Sequence, residues 1–331
     1  MNELINIADS HNGCEPIVSV VCTAYNQKDF IKDTLEGFLI QKTSFPVEII
    51  IHDDASTDGT REIIREYEIK YPNIIIPIYQ KENQYSQKTD ISTKFIYPLI
   101  RGKYVALCEG DDYWTDPLKL QKQVDFLEQN KDYGLVYTEI DRVNREGELI
   151  DQKFFRDEPT AFCKTFEDYL VHAPFRAPCT WLFRRNLYKG NNDKYKVGDF
   201  PMLLDIVANS KIHKIEDTTA KYRVLDRSAS HFISLKHSYA FMKGIFEIQM
   251  DYALKYNVSK NVIEAIKIKH ALESYNFAVT QNDINQIKFA DKLLIGHPGL
   301  SCKFKVVQLL SKFKLGRKLV KYRLNRLLGY S

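Results

Sequence analysis

Two short apolar runs in this sequence end directly in acidic residues, and this pattern constrains the fold more than any other feature. The run at 104–108 is followed by EGDDYW at 109–114, and the run at 49–52 is followed by DDASTDG at 53–59. Unpaired carboxylates do not stay buried, so both acidic segments should lie where a buried strand leaves the core. Carboxylate oxygens are also the ligands that Mg²⁺ or Mn²⁺ prefers. The sequence therefore predicts an acidic edge suited to a cation and a diphosphate.

Strand-like and helix-like segments alternate between residues 17 and 137. Strands are predicted at 17–23, 47–52, 74–79 and 103–108, and helices at 28–40, 59–70, 89–100 and 116–128. The helical segments repeat apolar residues every three or four positions, whereas the strands are short apolar runs. Such alternation favours an α/β fold with a mostly parallel sheet covered by helices, which binds ligands beyond the carboxyl ends of its strands. Both acidic segments and the sequence TAYN at 23–26 should lie at that edge.

The second half of the chain carries fewer alternating segments and then becomes helical. The predicted elements are a strand and hairpin at 133–151, a helix from residue 165, a strand at 179–184, a helix at 200–209, and short strands at 212–215 and 219–224. From about residue 235 the pattern is helical and contains few turn residues. We therefore expect one domain at residues 1–235 and a helical C-terminal region at 236–331.

Composition and cysteine spacing exclude several classes of protein. With 44% apolar residues among 331, the chain can build a large core. No apolar run approaches the roughly 20 residues that a membrane-spanning helix needs, and the polar first sixteen residues do not resemble a signal peptide. Six cysteines without a C-x-x-C pair argue against a zinc knuckle or a redox dithiol. We therefore expect a reduced, cytoplasmic protein.

The positive net charge of +4 is concentrated at the end of the chain, where residues 301–331 contain nine Lys or Arg residues and no Asp or Glu. Several apolar residues there fall roughly on one helical stripe, namely Val306, Leu310, Phe313, Val320, Leu324 and Leu327. One interpretation is a solvated helix packed on the protein. The other is an interfacial helix, the 303–328 tail, attracted to an anionic membrane surface. A nucleic-acid partner is not expected, because no recognised binding motif joins the basic residues.

Three ordered motifs resemble those of the family 2 glycosyltransferases, which have the GT-A fold. The sequence VSVVCTAYN at 18–26 resembles the family's first strand, and DDASTDGT at 53–60 resembles its second-strand signature, with Ala55 where glycine is commoner. The segment EGDDYWTDPLKL at 109–120 resembles its metal motif and the helix that follows. The resemblance covers about residues 15–235. It implies a GT-A-like nucleotide-sugar-binding fold with a mostly parallel central sheet, followed by the C-terminal helical region.

The resemblance also implies roles in binding the nucleotide. Thr23 and Tyr25 match positions that contact the base, and the Tyr25 ring is suited to stacking on it. Asp54, with Asp53 beside it, matches the acid that hydrogen-bonds uracil. Lys88 is a candidate for holding the nucleotide after the third strand.

The acidic motif supplies the expected metal ligands. Glu109 and Asp111 match the two ends of a D-x-D motif, in which Glu109 replaces the first aspartate. Asp111 is the first choice as a ligand of Mn²⁺ or Mg²⁺, and Asp112 is the second; Glu109 and Asp112 would otherwise contact the nucleotide-sugar. His231 could reach the metal or the diphosphate from a closing loop, although a lone histidine is more often a packing residue.

The catalytic base is expected later in the chain. Asp199, in the sequence GDFP at 198–201, resembles the acidic motif that supplies this base. It could also cap the helix that starts at Phe200, a role that is compatible with the preferred one in catalysis. As the base it would accept the proton of an acceptor hydroxyl, which attacks the anomeric carbon in one inverting displacement. Arg223 or Arg227 could pair with phosphate, and the sequence does not choose between them.

The preferred function is therefore transfer of a sugar from a nucleotide-sugar, with UDP the favoured nucleotide, to a glycan or lipid-linked acceptor. With a lipid-linked acceptor the protein would act at the inner face of the cell membrane. His172, Arg176, Thr180 and Trp181 fall where the acceptor side should be built, and Trp181 fits a core position as well as a platform for the sugar. A sugar nucleotidyltransferase would need a Gly-rich phosphate loop, which is absent at 23–30, and no G-x-G-x-x-G supports an oxidoreductase. A non-catalytic module that binds nucleotide-sugar or carbohydrate is the alternative from another class.

Overall fold

A computed structural model describes residues 4–9, 14–156, 158–187, 194–195, 197–225, 234–296 and 300–328. Its strands are β1 (Ile5–Asn6), β2 (Val18–Ala24), β3 (Lys42–Thr43), β4 (Val47–Asp53), β5 (Ile75–Tyr79), β6 (Tyr104–Leu107), β7 (Tyr113–Trp114), β8 (Tyr133–Val143), β9 (Leu149–Asp151), β10 (Leu182–Arg184) and β11 (Lys211–Arg223). Its helices are α1 (Ile31–Leu39), α2 (Thr60–Lys70), α3 (Lys119–Gln129), α4 (Phe166–His172), α5 (Asp199–Val207), α6 (Leu235–Lys255), α7 (Lys260–Thr280), α8 (Ile284–Leu294), α9 (Cys302–Ser311) and α10 (Lys314–Leu328).

The chain forms two compact units. The first consists of Met1–Phe166 and Pro174–Val224, and the second of Glu167–Ala173 and Leu225–Ser331. The domain boundary near residue 235 stays a prediction.

Within the described residues, the first unit contains a nine-stranded mixed sheet. Neighbouring strands follow the order β5-β4-β2-β6-β10-β8-β11-β7, and β9 pairs with β8 outside this path. β5, β4, β2 and β6 run parallel to one another, and so do β8 and β11. β10 runs antiparallel to both β6 and β8. The predicted α/β fold with a mostly parallel sheet is confirmed. Beyond β6 the sheet continues with the antiparallel strand β10 and then with β8 and β11, which run in the same direction as β6.

The order of the parallel strands creates a binding crevice at their carboxyl ends. β2 pairs with β4 on one side and with β6 on the other, so the direction in which the chain crosses the sheet reverses beside β2. Ligands in open α/β sheets bind at such a reversal. β2 ends at Ala24, β4 at Asp53 and β6 at Leu107, so each strand delivers one of the predicted motifs to this edge.

Burial explains why these strands are continuous apolar runs in the sequence. Every residue of β4 is buried, and β2 is buried except at Thr23. The covering helix α1 buries Ile31, Leu35 and Phe38. Each such side chain stabilises the fold by about 1.5–3 kcal/mol relative to leaving it exposed. A strand covered on both faces must therefore be apolar along its whole length.

The segment predicted as a helix at 89–100 has a different structure. It contains one π-helical turn at Ser92–Ile96, which is followed by a 3₁₀ turn at Tyr97–Leu99. Pro98 has no N–H group to donate and its ring crowds the preceding turn, so an α-helix cannot continue through it.

The two short strands predicted at 212–224 are one strand, β11. Its register against β8 shifts between Ile215 and Thr218 and again between Thr218 and Ala220. A bulge leaves extra residues unpaired and breaks the alternation of the side chains while the strand continues. The pattern in the sequence therefore appears interrupted where the strand is not.

The second unit is helical, which confirms the predicted C-terminal helices. Its core is formed by Tyr239, Ala271, Tyr275, Ala278, Val279, Ile287, Ala290, Leu294 and Val320. Phe304, Val307 and Leu310 of α9 pack against this core and are partly buried. Among the described helices, none combines the length and the apolar character needed to cross a membrane.

Candidate active site at the carboxyl ends of β2, β4 and β6

The acidic turn at 109–112 follows β6 and is fixed between β2 and α1. The Gly110 N–H donates to the Thr23 carbonyl at 3.0 Å. The Thr34 hydroxyl lies 3.0 Å from the Gly110 carbonyl oxygen and 2.7 Å from that of Asp112. A Cβ at Gly110 would lie 2.4 Å from Gln27 Oε1 and 3.0 Å from Ile31 Cδ1, which favours glycine at this close approach. Local packing thus holds three carboxylates in one defined turn.

Burial makes negative charge unfavourable at all three carboxyl groups of this turn. Glu109 Oε2 is buried and has no hydrogen-bond partner. Burial, together with the charges of Asp111 and Asp199, raises the pKa of Glu109 to about 7. Burial also raises the pKa of Asp111, although Arg223 and Gln27 act against this rise. A cation beside Glu109 and Asp111 would relieve the cost of ionising both groups.

Asp112 has a different environment from Glu109 and Asp111. Its side chain is buried, and its Oδ1 accepts a hydrogen bond from the Arg223 backbone N–H at 2.7 Å. Burial raises the pKa of Asp112 well above its ordinary value, and the charges of Asp111 and Glu109 add to the rise. The contact ties the acidic turn to the end of β11. A contact of Asp112 with the nucleotide stays a prediction.

Arg223 braces the acidic turn, a role that sequence analysis did not assign to it. Its Nη1 donates to the Asp111 carbonyl at 2.7 Å, and its Nη2 lies 2.8 Å from Asp33 Oδ2 on α1. The rings of Phe30 and Tyr113 lie against the guanidinium, with centroids 4.8 and 4.9 Å from Cζ. The available signal was a charged residue at the end of a half-buried strand. The other candidate, Arg227, lies outside the described residues.

The second acidic segment, at the end of β4, is held by other parts of the same unit. Asp53 is fully buried and forms an ion pair with Arg61 at 2.7 Å. Asp54 accepts hydrogen bonds from the backbone N–H groups of Gln84 and Tyr85 at 2.7 and 3.0 Å. Asp54 therefore fixes the loop that follows β5. The predicted contacts of Asp53 and Asp54 with the nucleotide stay predictions.

Two residues of these loops have a left-handed backbone. Ala55 has φ +64° and Lys88 has φ +57°. This conformation costs a residue with a Cβ roughly 1–2 kcal/mol, which explains why glycine is commoner than alanine at the position of Ala55. The Lys88 side chain is exposed, and its predicted contact with the nucleotide stays a prediction.

The end of β2 exposes the two residues predicted to contact the base. Thr23 is exposed, and Tyr25 is 49% exposed. The next residue, Asn26, donates its N–H to Ser56 Oγ at 2.9 Å and accepts the Thr57 N–H on Oδ1 at 2.9 Å. These two bonds join the loop after β2 to the loop after β4. A large aromatic ring thus faces solvent beside the second acidic segment.

Asp199 is the first residue of α5 and lies within electrostatic reach of the acidic turn. Its Oδ1 accepts the Phe200 N–H at 2.9 Å, and burial raises its pKa. The charge of Asp199 also contributes to the raised pKa of Glu109. Asp199 and the acidic turn therefore belong to the same unit and act on each other electrostatically, although they are far apart in the chain. The role of Asp199 as the catalytic base stays a prediction.

The residues present fit a divalent cation that takes part of its coordination from the substrate. In the parts of the chain that the structure describes, no three His, Cys, Asp or Glu side chains form a ready-made metal cage. Mg²⁺ in phosphate-handling sites keeps several waters and takes one or two carboxylates plus phosphate oxygens. Glu109, with its unpartnered buried oxygen, and Asp111 supply such a pair. His231, the other predicted ligand, lies outside the described residues.

The residues predicted for the acceptor side have different locations. Trp181 and Thr180 are buried, and the Thr180 hydroxyl donates to the Ala177 carbonyl at 2.7 Å. Arg176 is also buried and its Nη1 pairs with Glu158 at 2.5 Å. Trp181 is therefore a core residue rather than an exposed platform for a sugar. His172 belongs to the second unit.

Comparison with known sequences agrees with these motifs. The profile of glycosyl transferase family 2 matches residues 19–190, slightly more than half of the chain. An uncharacterized protein of Mycobacterium tuberculosis is 44% identical over 130 residues, which are 39% of this chain and 37% of that protein. WfaP of Escherichia coli, a UDP-Glc:alpha-D-GlcNAc-diphosphoundecaprenol beta-1,3-glucosyltransferase, is 37% identical over 130 residues, which are 38% of this chain and 49% of WfaP. The match thus spans less than half the length of each relative.

Solved structures share the fold. Staphylococcus aureus TarS 1-349 in complex with UDP-GlcNAc has a TM-score of 0.60 at 17% identity, over 95% of this chain and 92% of that one. The mannosyltransferase PcManGT of Pyrobaculum calidifontis, in complex with GDP-Man and Mn²⁺, has a TM-score of 0.56 at 15% identity, over 96% of this chain and 86% of that one. At such identities the likeness establishes a GT-A-like fold and not a substrate. Together with the ordered motifs, the profile match shows that the chain belongs to glycosyl transferase family 2.

Proposed function

We propose that this protein is an inverting, metal-dependent glycosyltransferase that moves a sugar from a nucleotide-sugar to an acceptor hydroxyl. The observation that carries the proposal is the buried Glu109 Oε2, which has no hydrogen-bond partner and belongs to the same turn as Asp111. The charge of Asp199, which acts on Glu109, supports it. A pair of carboxylates for a cation and a separate carboxylate for a proton, in one crevice, are the groups that a single displacement requires.

The donor would bind across the ends of β2 and β4. The exposed Tyr25 ring offers a stacking surface to the base, with Thr23 beside it. Asp53 and Asp54 would form the polar wall of the base site, and Lys88 would approach the phosphates. UDP is the favoured nucleotide, because the name of WfaP contains UDP-Glc and TarS was solved with UDP-GlcNAc. A hexose or an N-acetylhexosamine is the proposed sugar.

Glu109 and Asp111 are the proposed protein ligands of Mn²⁺ or Mg²⁺. Such an ion, when bound, neutralises negative charge on the departing diphosphate. Asp112 and Arg223 would act indirectly, because their contacts with each other and with the Asp111 carbonyl hold the turn in place. The Mn²⁺ in the PcManGT complex supports a divalent ion without choosing between the two metals.

Asp199 would act as the general base. Burial raises its pKa, which strengthens a carboxylate as a proton acceptor. In the proposed step, Asp199 takes the proton of the acceptor hydroxyl while that oxygen attacks the anomeric carbon and the diphosphate leaves from the opposite face. One displacement inverts the anomeric configuration, so no covalent glycosyl-enzyme and no nucleophilic side chain are needed.

The proposed acceptor is a glycan or a lipid-linked sugar. The name of WfaP includes a diphosphoundecaprenol-linked sugar, which supports the lipid-linked class. With such an acceptor the protein would work in the cytoplasm at the inner face of the cell membrane, where the basic tail at 303–328 would meet anionic lipid.

A donor panel tests the proposal. The full chain is incubated with UDP-Glc, UDP-GlcNAc, UDP-Gal and GDP-Man, each with Mn²⁺, Mg²⁺ or a chelator, and release of the nucleoside diphosphate is measured. We expect release that depends on the metal and on one donor, and proton NMR of the product should show an inverted anomeric centre. Retention of configuration would contradict the proposed mechanism.

Two variants and one control separate binding from chemistry. Asp111→Asn should abolish metal-dependent donor binding. Asp199→Asn should bind the donor normally and lose transfer by about 10²–10⁴-fold, the usual contribution of a general base. Asp205→Asn, on the same helix as Asp199, should retain activity. Donor binding without turnover by the unaltered protein would instead favour a non-catalytic binding module.

A further inference from the structure

The apolar residues predicted to form one stripe on the basic tail differ in their burial. Leu310 and Val320 face the core of the second unit, where Val320 is 7% exposed. In contrast, Val306 is 52% exposed and Phe313 is 61% exposed. One part of the apolar surface of α9 and α10 therefore packs against the core of the second unit, and another part is exposed to solvent.

The inner face of the two helices is held by packing and by hydrogen bonds. Arg317 donates from Nε to Asn282 Oδ1 at 2.8 Å and from Nη1 to the Ser311 carbonyl at 2.7 Å. Gly316 lies so close to the Leu310 carbonyl that a Cβ there would be 2.2 Å from its oxygen. These contacts fix which side of α9 and α10 faces away from the core.

The outward side carries two apolar rows. Their members recur at positions i, i+3 or i+4, and i+7, and they are Val306, Leu309 and Phe313 on and after α9, and Leu315, Leu319 and Tyr322 on α10. Leu309, Leu315 and Leu319 are 59, 71 and 54% exposed, and Tyr322 is 70% exposed. We call these six residues the outer rows. Monomeric soluble proteins rarely expose this many large apolar side chains together without a partner.

Positive charge surrounds the outer rows. Exposed basic residues flank them on both helices, namely Lys303, Lys305, Lys312, Lys314, Lys318, Lys321, Arg323 and Arg326. The segment 301–331 contains no acidic residue that could neutralise this charge within the tail. Aliphatic and aromatic side chains bordered by Lys and Arg are typical of helices that lie in the interface of an anionic bilayer.

We propose that the outer rows and their basic border form a surface that docks on an anionic lipid bilayer. The apolar side chains would enter the boundary between headgroups and acyl chains, and the ammonium and guanidinium groups would pair with lipid phosphates. This inference rests on the proposed function and names the residues of its membrane contact. Its test is separate from catalysis, because binding to lipid requires no donor and no turnover. Its consequence would be a higher local concentration of enzyme where a lipid-linked acceptor resides.

Charge argues against a second copy of the chain as the occupant of this surface. A twofold contact places the same patch of each copy against the other. Two patches that carry only cations would repel each other, and like charges across an interface disfavour association. A nucleic acid would match the charge but would leave the apolar rows exposed to water.

Vesicle sedimentation with the full chain tests the proposal. The protein is mixed with phosphatidylcholine vesicles, either pure or containing phosphatidylglycerol, at low and high salt. We expect binding only to the anionic vesicles and a loss of most binding at high salt, since salt screens exposed charges. In one variant, Leu309, Leu315 and Leu319 are replaced by glutamine; in another, Lys305, Lys312 and Lys318 are replaced by glutamine.

The two variants should lose affinity by different routes. Each neutralised lysine should cost on the order of fivefold, so the triple lysine variant should lose on the order of 100-fold. The leucine variant should keep a weak, salt-sensitive association. Leu254→Gln and Ile295→Gln are the matched controls, because these side chains are 71 and 79% exposed in the same unit but lie outside α9 and α10.

Vesicle binding by the triple variants and the controls can either support or overturn the proposed lipid-docking surface. Selective loss of vesicle binding in the two triple variants, with unchanged circular dichroism and unchanged donor binding, would support the surface. Equal binding by the control and triple variants would overturn it, as would absence of binding to anionic vesicles. Self-association in analytical ultracentrifugation that disappears in the leucine variant would assign the rows to a second copy and would also overturn it.

Discussion

Lys119 allows a quantitative test of how the motif after the acidic turn affects stability. Its side chain is fully buried at the start of α3. Its Nζ donates to Gln123 Oε1 at 2.8 Å and lies 4.2 Å from the centroid of the Trp114 ring. Both partners are neutral, and together they replace only part of the hydration that the Lys119 ammonium group would have in water. Burial therefore lowers the pKa of Lys119 from 10.5 to about 7.

The magnitude of the effect follows from linkage between protonation and folding. The difference between 10.5 and about 7 corresponds to roughly 4–5 kcal/mol of unfolding free energy, at about 1.4 kcal/mol per pH unit. Between these two values the unfolded chain holds a proton that the folded protein releases. The unfolding free energy should therefore rise with pH from about 7 and level off near 10.5.

The perturbation is Lys119→Met, which removes this titration. Urea unfolding is followed by circular dichroism between about pH 7 and pH 9.5. Over this range the stability of the unaltered protein should rise by about 3 kcal/mol relative to the variant. The variant also loses the hydrogen bond to Gln123, which should lower its unfolding free energy by about 1–3 kcal/mol at every pH.

Lys131→Met is the control, because Lys131 follows the same helix and its side chain is 66% exposed. This variant should show the same pH dependence as the unaltered protein. The reasoning is refuted if the difference in stability between Lys119→Met and the unaltered protein is constant across the pH range. In that case Lys119 would keep its proton in the folded state.

Three further predictions concern the loops of the site. Arg223→Lys keeps the positive charge but loses the simultaneous contacts with the Asp111 carbonyl and the Asp33 carboxylate, so the KM for the donor at fixed Mn²⁺ should rise about tenfold or more, with a smaller change in kcat. The control is Arg145→Lys, at an exposed ion pair. Equal kinetics for the two variants would contradict the bracing role of Arg223. Ala55→Gly should raise the unfolding free energy by about 1 kcal/mol, because Ala55 has φ +64°; a lower melting temperature would argue against a left-handed backbone. Asp54→Ala removes the acceptor for the backbone N–H groups of Gln84 and Tyr85, which should lower the unfolding free energy by about 1–3 kcal/mol. Limited proteolysis should then cleave the loop at 82–88 more readily. An unchanged cleavage pattern would show that other contacts hold this loop.

The acidic ends of β4 and β6 could be predicted because the burial of a strand determines which residues occur along that short segment. β4 and β2 are covered on both faces, so they appear as continuous apolar runs, and the polar residues that follow mark the strand ends. The same logic failed at 89–100, where Pro98 interrupts a helical pattern, and at β11, where bulges interrupt a strand pattern. Local patterns are reliable only where one backbone conformation persists over the whole segment.

The sequence by itself determined the α/β class, the acidic ends of β4 and β6, and the basic charge of the tail, because these follow from side-chain spacing and composition along short segments. Only the tertiary structure decided that the charge of Asp199 acts on Glu109, that Arg223 braces the acidic turn, and that Trp181 is a core residue. It also decided which apolar residues of the tail face the core and which face outward. The physical reason is that these relations join residues far apart in the chain. They depend on the order and direction of strands in the sheet and on which helix face meets a neighbour, and neither is encoded within a short segment.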